Sequence, residues 1–131
     1  MKCLHTVFAA VLLFLLSVLS NASADPNRRS EPIHFTKGAS STVSKGQIKG
    51  DHYVDYQVRA GAGQTLSVEM KSSNASGYFN ILAPGSGDVA MFVGSTSGNR
   101  FSGVLPADGD YAIRVYLMRN AARRNEVANY S

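Results

Sequence analysis

The sequence predicts an all-β fold, an antiparallel β-sandwich of about seven to eight strands with one short helical turn near the C-terminus. Three observations predict it. Apolar residues recur at every second position over several short runs. Clusters of Gly, Ser, Asn, Asp and Pro separate those runs at intervals of about 8–12 residues. Only residues 119–126 combine good helix formers with no β-branched side chain.

Taken in chain order, residues 1–24 read as an export signal. Lys2 and His5 precede an unbroken apolar run over residues 7–16, and Ala22-Ser23-Ala24 supplies small residues for cleavage after Ala24. The apolar run is shorter than the roughly 20 residues a bilayer span requires, so stable membrane insertion is not expected. Residues 25–31 are polar, with two arginines and a proline, and read as a flexible N-terminal arm. Residues 32–131 then form a single sandwich domain. Ile33 and Phe35 open it as a strand, with His34 on the opposite face. Val54, Tyr56 and Val58 alternate against Tyr53, Asp55, Gln57 and Arg59. Leu66, Val68 and Met70 follow, then Phe79 and Ile81, then Val89, Met91 and Val93, and Phe101 in another short run. Tyr111, Ile113, Val115 and Leu117 make the longest alternation. Gly46 and Gly50, Gly61-Ala62-Gly63, Pro84-Gly85-Ser86-Gly87 and Asp108-Gly109-Asp110 are turn chemistry. Asn120 reads as the cap of one or two helical turns. Val127 and Tyr130 begin a last strand, which is either very short or truncated at Ser131.

Composition narrows the function. A chain of 131 residues, of which the first 24 are a signal, holds one small core. That excludes a multidomain enzyme and a polytopic membrane protein. The single cysteine, Cys3, lies inside the signal, so no disulfide framework exists. The net charge is +4, but Lys and Arg are scattered among acids, which argues against nucleic-acid binding. Catalysis is not expected either. His34 and His52 read as surface residues, and no zinc, phosphate-loop or cysteine–histidine motif occurs. Asp51 and Asp55 on a strand do not converge as a glycosidase pair. Asp108 and Asp110 read as a hairpin turn rather than calcium ligands. No cofactor or metal is implied.

The densest positive site is Arg119, Arg123 and Arg124. Helical spacing places Arg119 and Arg123 on one face. The cluster reads either as a solvated turn partly neutralised by Glu126, or as a guanidinium pair aimed at a partner's carboxylates, to which Arg binds bidentately.

The residues resemble the periplasmic inhibitors of goose-type (g-type) lysozyme. The resemblance runs from about Ile33 to Tyr130. Its pieces are His34-Phe35-Thr36-Lys37-Gly38, Gly46-Gln47-Ile48-Lys49-Gly50, Leu105-Pro106-Ala107-Asp108-Gly109-Asp110-Tyr111 and, most specific, Arg119-Asn120-Ala121-Ala122-Arg123-Arg124-Asn125 followed by Tyr130. The middle pieces are also similar to the wider class of exported prepeptidase-C-terminal-type β-sandwich modules. The resemblance implies a noncatalytic periplasmic protein that enters a lysozyme cleft and protects peptidoglycan, with Arg119 and Arg123 in the contact patch. A tyrosine follows the second Gly of Gly-x-Ile-x-Gly in that family. This chain has Asp51 there, with Tyr53 nearby, so the expected partner-binding set is Arg119, Arg123, Asp51 and Tyr53. Related inhibitors of other lysozyme types use a Ser-Gly-x-Tyr loop, and Asp108-Gly109-Asp110-Tyr111 is the similar stretch here. The alternative is a noncatalytic carbohydrate- or cell-wall-binding module, with Tyr53, Tyr78 or Tyr116 stacking on sugars.

Overall fold

The computed structural model describes residues 25–131; the expected export signal lies outside them. Alternation places the longest run at the centre of a sheet. Tyr111, Ile113, Val115 and Leu117 are all buried in β8 (Gly109–Leu117). This strand pairs antiparallel with β3 (Tyr53–Ala60) on one side and β5 (Gly77–Leu82) on the other. Register aligns Val54 with Val115 and Phe79, and Tyr56 with Ile113 and Ile81, so one face of three strands is continuously apolar.

The sheet continues at both edges, giving the order β1-β3-β8-β5-β6. β1 (Arg28–Pro32) corrects the expectation of a flexible arm. It lies parallel to β3, from Arg28 beside Tyr53 to Pro32 beside Gln57. The expected strand at Ile33 and Phe35 is displaced accordingly. Ile33 only closes the ladder through its N–H to the Gln57 carbonyl, 2.9 Å, and Phe35 is exposed. At the other edge, β6 (Ala90–Val93) turns the opposite face inward from that expected. Val89 and Met91 are exposed, while Phe92 packs between Phe79 and Phe101 at ring-centroid distances of 5.3 and 5.1 Å. The register shift between Ile81 and Leu82 accompanies this inversion.

The second layer is built from two antiparallel pairs, β2 (Gly46–Lys49) with β9 (Val127–Tyr130), and β4 (Thr65–Glu69) with β7 (Arg100–Val104). Lys71 and Ser131 exchange backbone hydrogen bonds at 2.9 and 3.0 Å, and a bridge joins Ser72 to Tyr130, linking the two pairs. The described chain thus has nine strands and two short helices, α1 (Gly94–Ser97) and α2 (Arg119–Arg123). The layers share one core in which Ile48, Leu105, Ala128 and Tyr130 meet the apolar face of the first sheet. Across it the Tyr56 and Tyr130 hydroxyls lie 2.6 Å apart.

The Leu-Pro-Ala-x-Gly-x-Tyr piece is a structural corner. Tyr111 is fully buried, and its hydroxyl donates to the Ala107 carbonyl at 2.7 Å and accepts the Ala107 N–H at 3.1 Å. The loop before it therefore presents no exposed tyrosine.

Candidate functional site

The two most specific sequence pieces, Gly46 to Gly50 and Arg119 to Tyr130, meet in space because β2 pairs with β9. Gly46 sits under the Tyr130 ring, where a Cβ would lie 2.4 Å from the Tyr130 hydroxyl. At the other end of β2, Gly50 has φ +59° and its N–H donates to the Glu126 carbonyl at 2.9 Å. The His52 N–H donates back to the Lys49 carbonyl at 3.1 Å. With φ positive at Gly50 and not at Asp51, the turn has the dihedral signature of type II′.

This turn abuts α2. The expected helical turn at Arg119 is present, but its N-cap is Met118, not Asn120; the Asn120 amide oxygen accepts only the adjacent Ala121 N–H. The helix ends in a Schellman arrangement. The Asn125 N–H donates to the Ala122 carbonyl, 2.9 Å, and the Glu126 N–H to the Ala121 carbonyl, 3.1 Å. Asn125 takes the left-handed position, φ +57°, that such an ending requires. Ala121 and Ala122 are buried, which seats the helix on the core and leaves Arg119 and Arg123 outward. Small residues at those two positions let the short helix approach closely.

Arg119 and Arg123 are exposed and, among the described residues, make no ion pair or side-chain hydrogen bond. Arg124 differs, since its Nε donates to Glu126 at 2.6 Å. That pair and a hydrogen bond from Asn74 hold the Glu126 carboxyl below its ordinary pKa, the Asn74 bond contributing most. Arg119 borders an open depression of about 380 Å³. Asp51, His52, Tyr116 and Met118 line it with Arg119. Arg123 follows one turn later on the same helix, outside that lining.

Tyr53 is not brought to this depression. It lines a separate one of about 300 Å³ between β1, β2 and β3. Its hydroxyl donates to Asp25 at 2.6 Å, and the Arg114 guanidinium carbon stacks 4.7 Å from its ring centre. The same Arg114 grips Asp55 bidentately at 2.8 and 3.0 Å and reaches Asp88 at 3.2 Å. Those contacts, Asp55 foremost, raise the Arg114 pKa further above an already high value, although burial opposes them. Asp55 is thus consumed by a neighbouring strand, as alternation alone does not reveal. The turn carboxylates are engaged too. Asp108 accepts the Ala62 N–H at 2.7 Å and Asp110 accepts from Arg59 at 3.4 Å. Among the described residues, no cluster of three or more His, Cys, Asp or Glu could hold a metal ion. Among them too, no helix is long and apolar enough to cross a membrane.

Sequence reasoning named Arg119, Arg123 and Asp51 but missed Met118 and the Gly50–Asn125 contact that mounts them. The positive-φ requirement at both positions was the available signal.

A curated inhibitor of g-type lysozyme from Escherichia coli (strain K12) is 33% identical across 98% of this chain and 94% of its own length. This chain belongs to the family of g-type lysozyme inhibitors. Solved structures agree. A periplasmic inhibitor of g-type lysozyme from Aeromonas hydrophila superposes with a TM-score of 0.73 at 36% identity, covering 79% of this chain and 91% of that one. A mutant of the Escherichia coli inhibitor gives 0.57 at 32%, covering 79% and 94%. The Salmonella Typhimurium inhibitor gives 0.56 at 28%, covering 79% and 96%. No family model matches the chain.

Proposed function

We propose that this protein is a periplasmic inhibitor of g-type lysozyme that blocks the enzyme's cleft without making or breaking a bond. Three relatives of solved structure are described as periplasmic inhibitors of g-type lysozyme, and such proteins are not catalysts. The export signal over residues 1–24, cleaved after Ala24, fits that location. Arg119 and Arg123 are the proposed contact groups, with Asp51 beside them and Tyr53 as a supporting residue at the neighbouring edge.

The observation that carries the mechanism is a pair of exposed guanidinium groups with no side-chain partner among the described residues, on a helix whose backbone is locked. Lysozymes act through carboxylates in a cleft. Guanidinium keeps its charge when desolvated and binds carboxylate bidentately. A seated α2 would occupy those carboxylates and exclude the polysaccharide. Because the buried alanines, the Schellman ending and the Gly50 turn already fix the backbone, little of the helix must order on binding, which favours affinity.

The test is a lysis assay with g-type, chicken-type and invertebrate-type lysozymes and the purified mature protein. Stoichiometric inhibition of the g-type enzyme is expected. Failure to inhibit any g-type enzyme, with retention on insoluble peptidoglycan, would overturn the proposal in favour of a cell-wall-binding module.

A further inference from the structure

Among the described residues, Asp51 has the one side-chain carboxylate with no hydrogen bond or ion pair from its own chain. Every other one is engaged, including the fully solvated ones. Asp51 also lines the same depression as Arg119, whose guanidinium is likewise unpartnered among the described residues. The two opposite charges border one depression, yet no ion pair forms between them within 4.0 Å. Both residues are carried on fastened backbone. Asp51 rides on a turn closed by His52 and Lys49 and fastened through Gly50 to the Glu126 carbonyl, and Arg119 rides on the locked helix.

We infer that Asp51 receives a cationic side chain, Lys or Arg, from the wall of the lysozyme cleft when Arg119 engages the enzyme's carboxylates. This rests on the inhibitor reading above and adds a statement about specificity. The site is bipolar, so it selects enzymes whose cleft carries a base at the matching distance from the acids. Lysozymes lacking that base would meet an uncompensated carboxylate, and like or unpaired charges at a forming interface are strongly discriminating.

Asp51→Asn separates this from the simpler case, because the two give opposite signs. An acid that merely sits beside Arg119 repels the enzyme's carboxylates, so removing its charge would tighten binding. An acid that receives a base would lose a partner, and binding would weaken. Calorimetry on a g-type lysozyme that the wild type inhibits should show Asp51→Asn weaker by about three- to tenfold, and Asp51→Lys weaker still. Asp51→Glu should stay within about threefold. Melting temperatures should be unchanged, since the residue is exposed. An Asp51→Asn or Asp51→Lys variant that binds as well as or better than wild type would overturn the inference and leave the inhibitor reading standing. If the wild type inhibits no g-type enzyme, both fall together.

Discussion

The mount of the arginine helix yields a quantitative prediction. Gly50→Ala adds one methyl group at φ +59°, 2.5 Å from the Asn125 Oδ1 and 3.6 Å from the Ala122 carbonyl oxygen. Two penalties follow. The backbone conformation costs about 1–3 kcal/mol for a residue with a Cβ. Displacing the Asn125 side chain off its rotamer costs about 1 kcal/mol more. Total destabilisation should therefore be about 2–4 kcal/mol. Asn125→Gly should be nearly neutral, because Gly is favoured at that helix-ending position. Combining the two removes the clash and leaves the backbone penalty, so the double variant should recover about 1 kcal/mol relative to additivity. Urea unfolding of the four proteins measures the coupling, and lysozyme inhibition by the same four should follow it. Additivity to within about 0.4 kcal/mol would refute the reasoning. It would mean that the β2–β3 turn does not bear on the end of α2.

Other predictions concern the body that carries the site. Asp55→Ala strands the Arg114 guanidinium in a partly buried position and should cost about 3 kcal/mol by denaturation, whereas Asp88→Ala, whose side chain is 90% exposed, should cost less than about 1 kcal/mol. Tyr111→Phe leaves the Ala107 N–H and carbonyl without the corner hydroxyl and should cost about 1–3 kcal/mol, read as a lowered melting temperature. The Tyr53 hydroxyl, and next the Asn27 N–H, hold the Asp25 carboxyl below its ordinary value of 3.8. The docking of the N-terminal segment is then fully stabilised above that value and weakens as pH falls through the lowered folded-state pKa. Proteolysis within the Arg28–Pro32 strand should accelerate in that acid window, and in Tyr53→Phe the acid sensitivity should diminish.

The central strands were legible because their physics is local. β8 buries every second residue, and β3 does so apart from Asp55, so the pattern of Tyr111 to Leu117 states the strand and its inward face together. β1 was illegible for the opposite reason. Arg28-Arg29-Ser30-Glu31-Pro32 has no apolar face; it is an edge strand held by ladder hydrogen bonds and by Asp25 on Tyr53. The face of β6 was misread because both of its phases are apolar, Ala90 and Phe92 on one and Met91 and Val93 on the other, and only the pairing of Phe92 with the buried Ile81 selects between them. Gly46 read as a turn residue, yet it lies within β2 and is small because of a ring 84 residues later. The site shows the same division. The spacing of Arg119 and Arg123 placed both on one face, since a four-residue step is a helical property, and burial of Ala121 and Ala122 turns that face outward. Tyr53 was grouped with them by proximity to Asp51 in sequence, but strand alternation sends it to the outer sheet face, against Arg114.

Inhibition by this protein rests on decisive contacts that Arg119 and Arg123 supply from a rigid body. That dependence is tested most directly by titrating a g-type lysozyme with wild type and with the Arg119→Ala, Arg123→Ala double variant in a calorimeter. Affinity should fall by about a thousandfold or more, from truncations costing about 2–5 kcal/mol each, with unfolding unchanged to within about 0.5 kcal/mol. A double variant that binds within about threefold of wild type would contradict it.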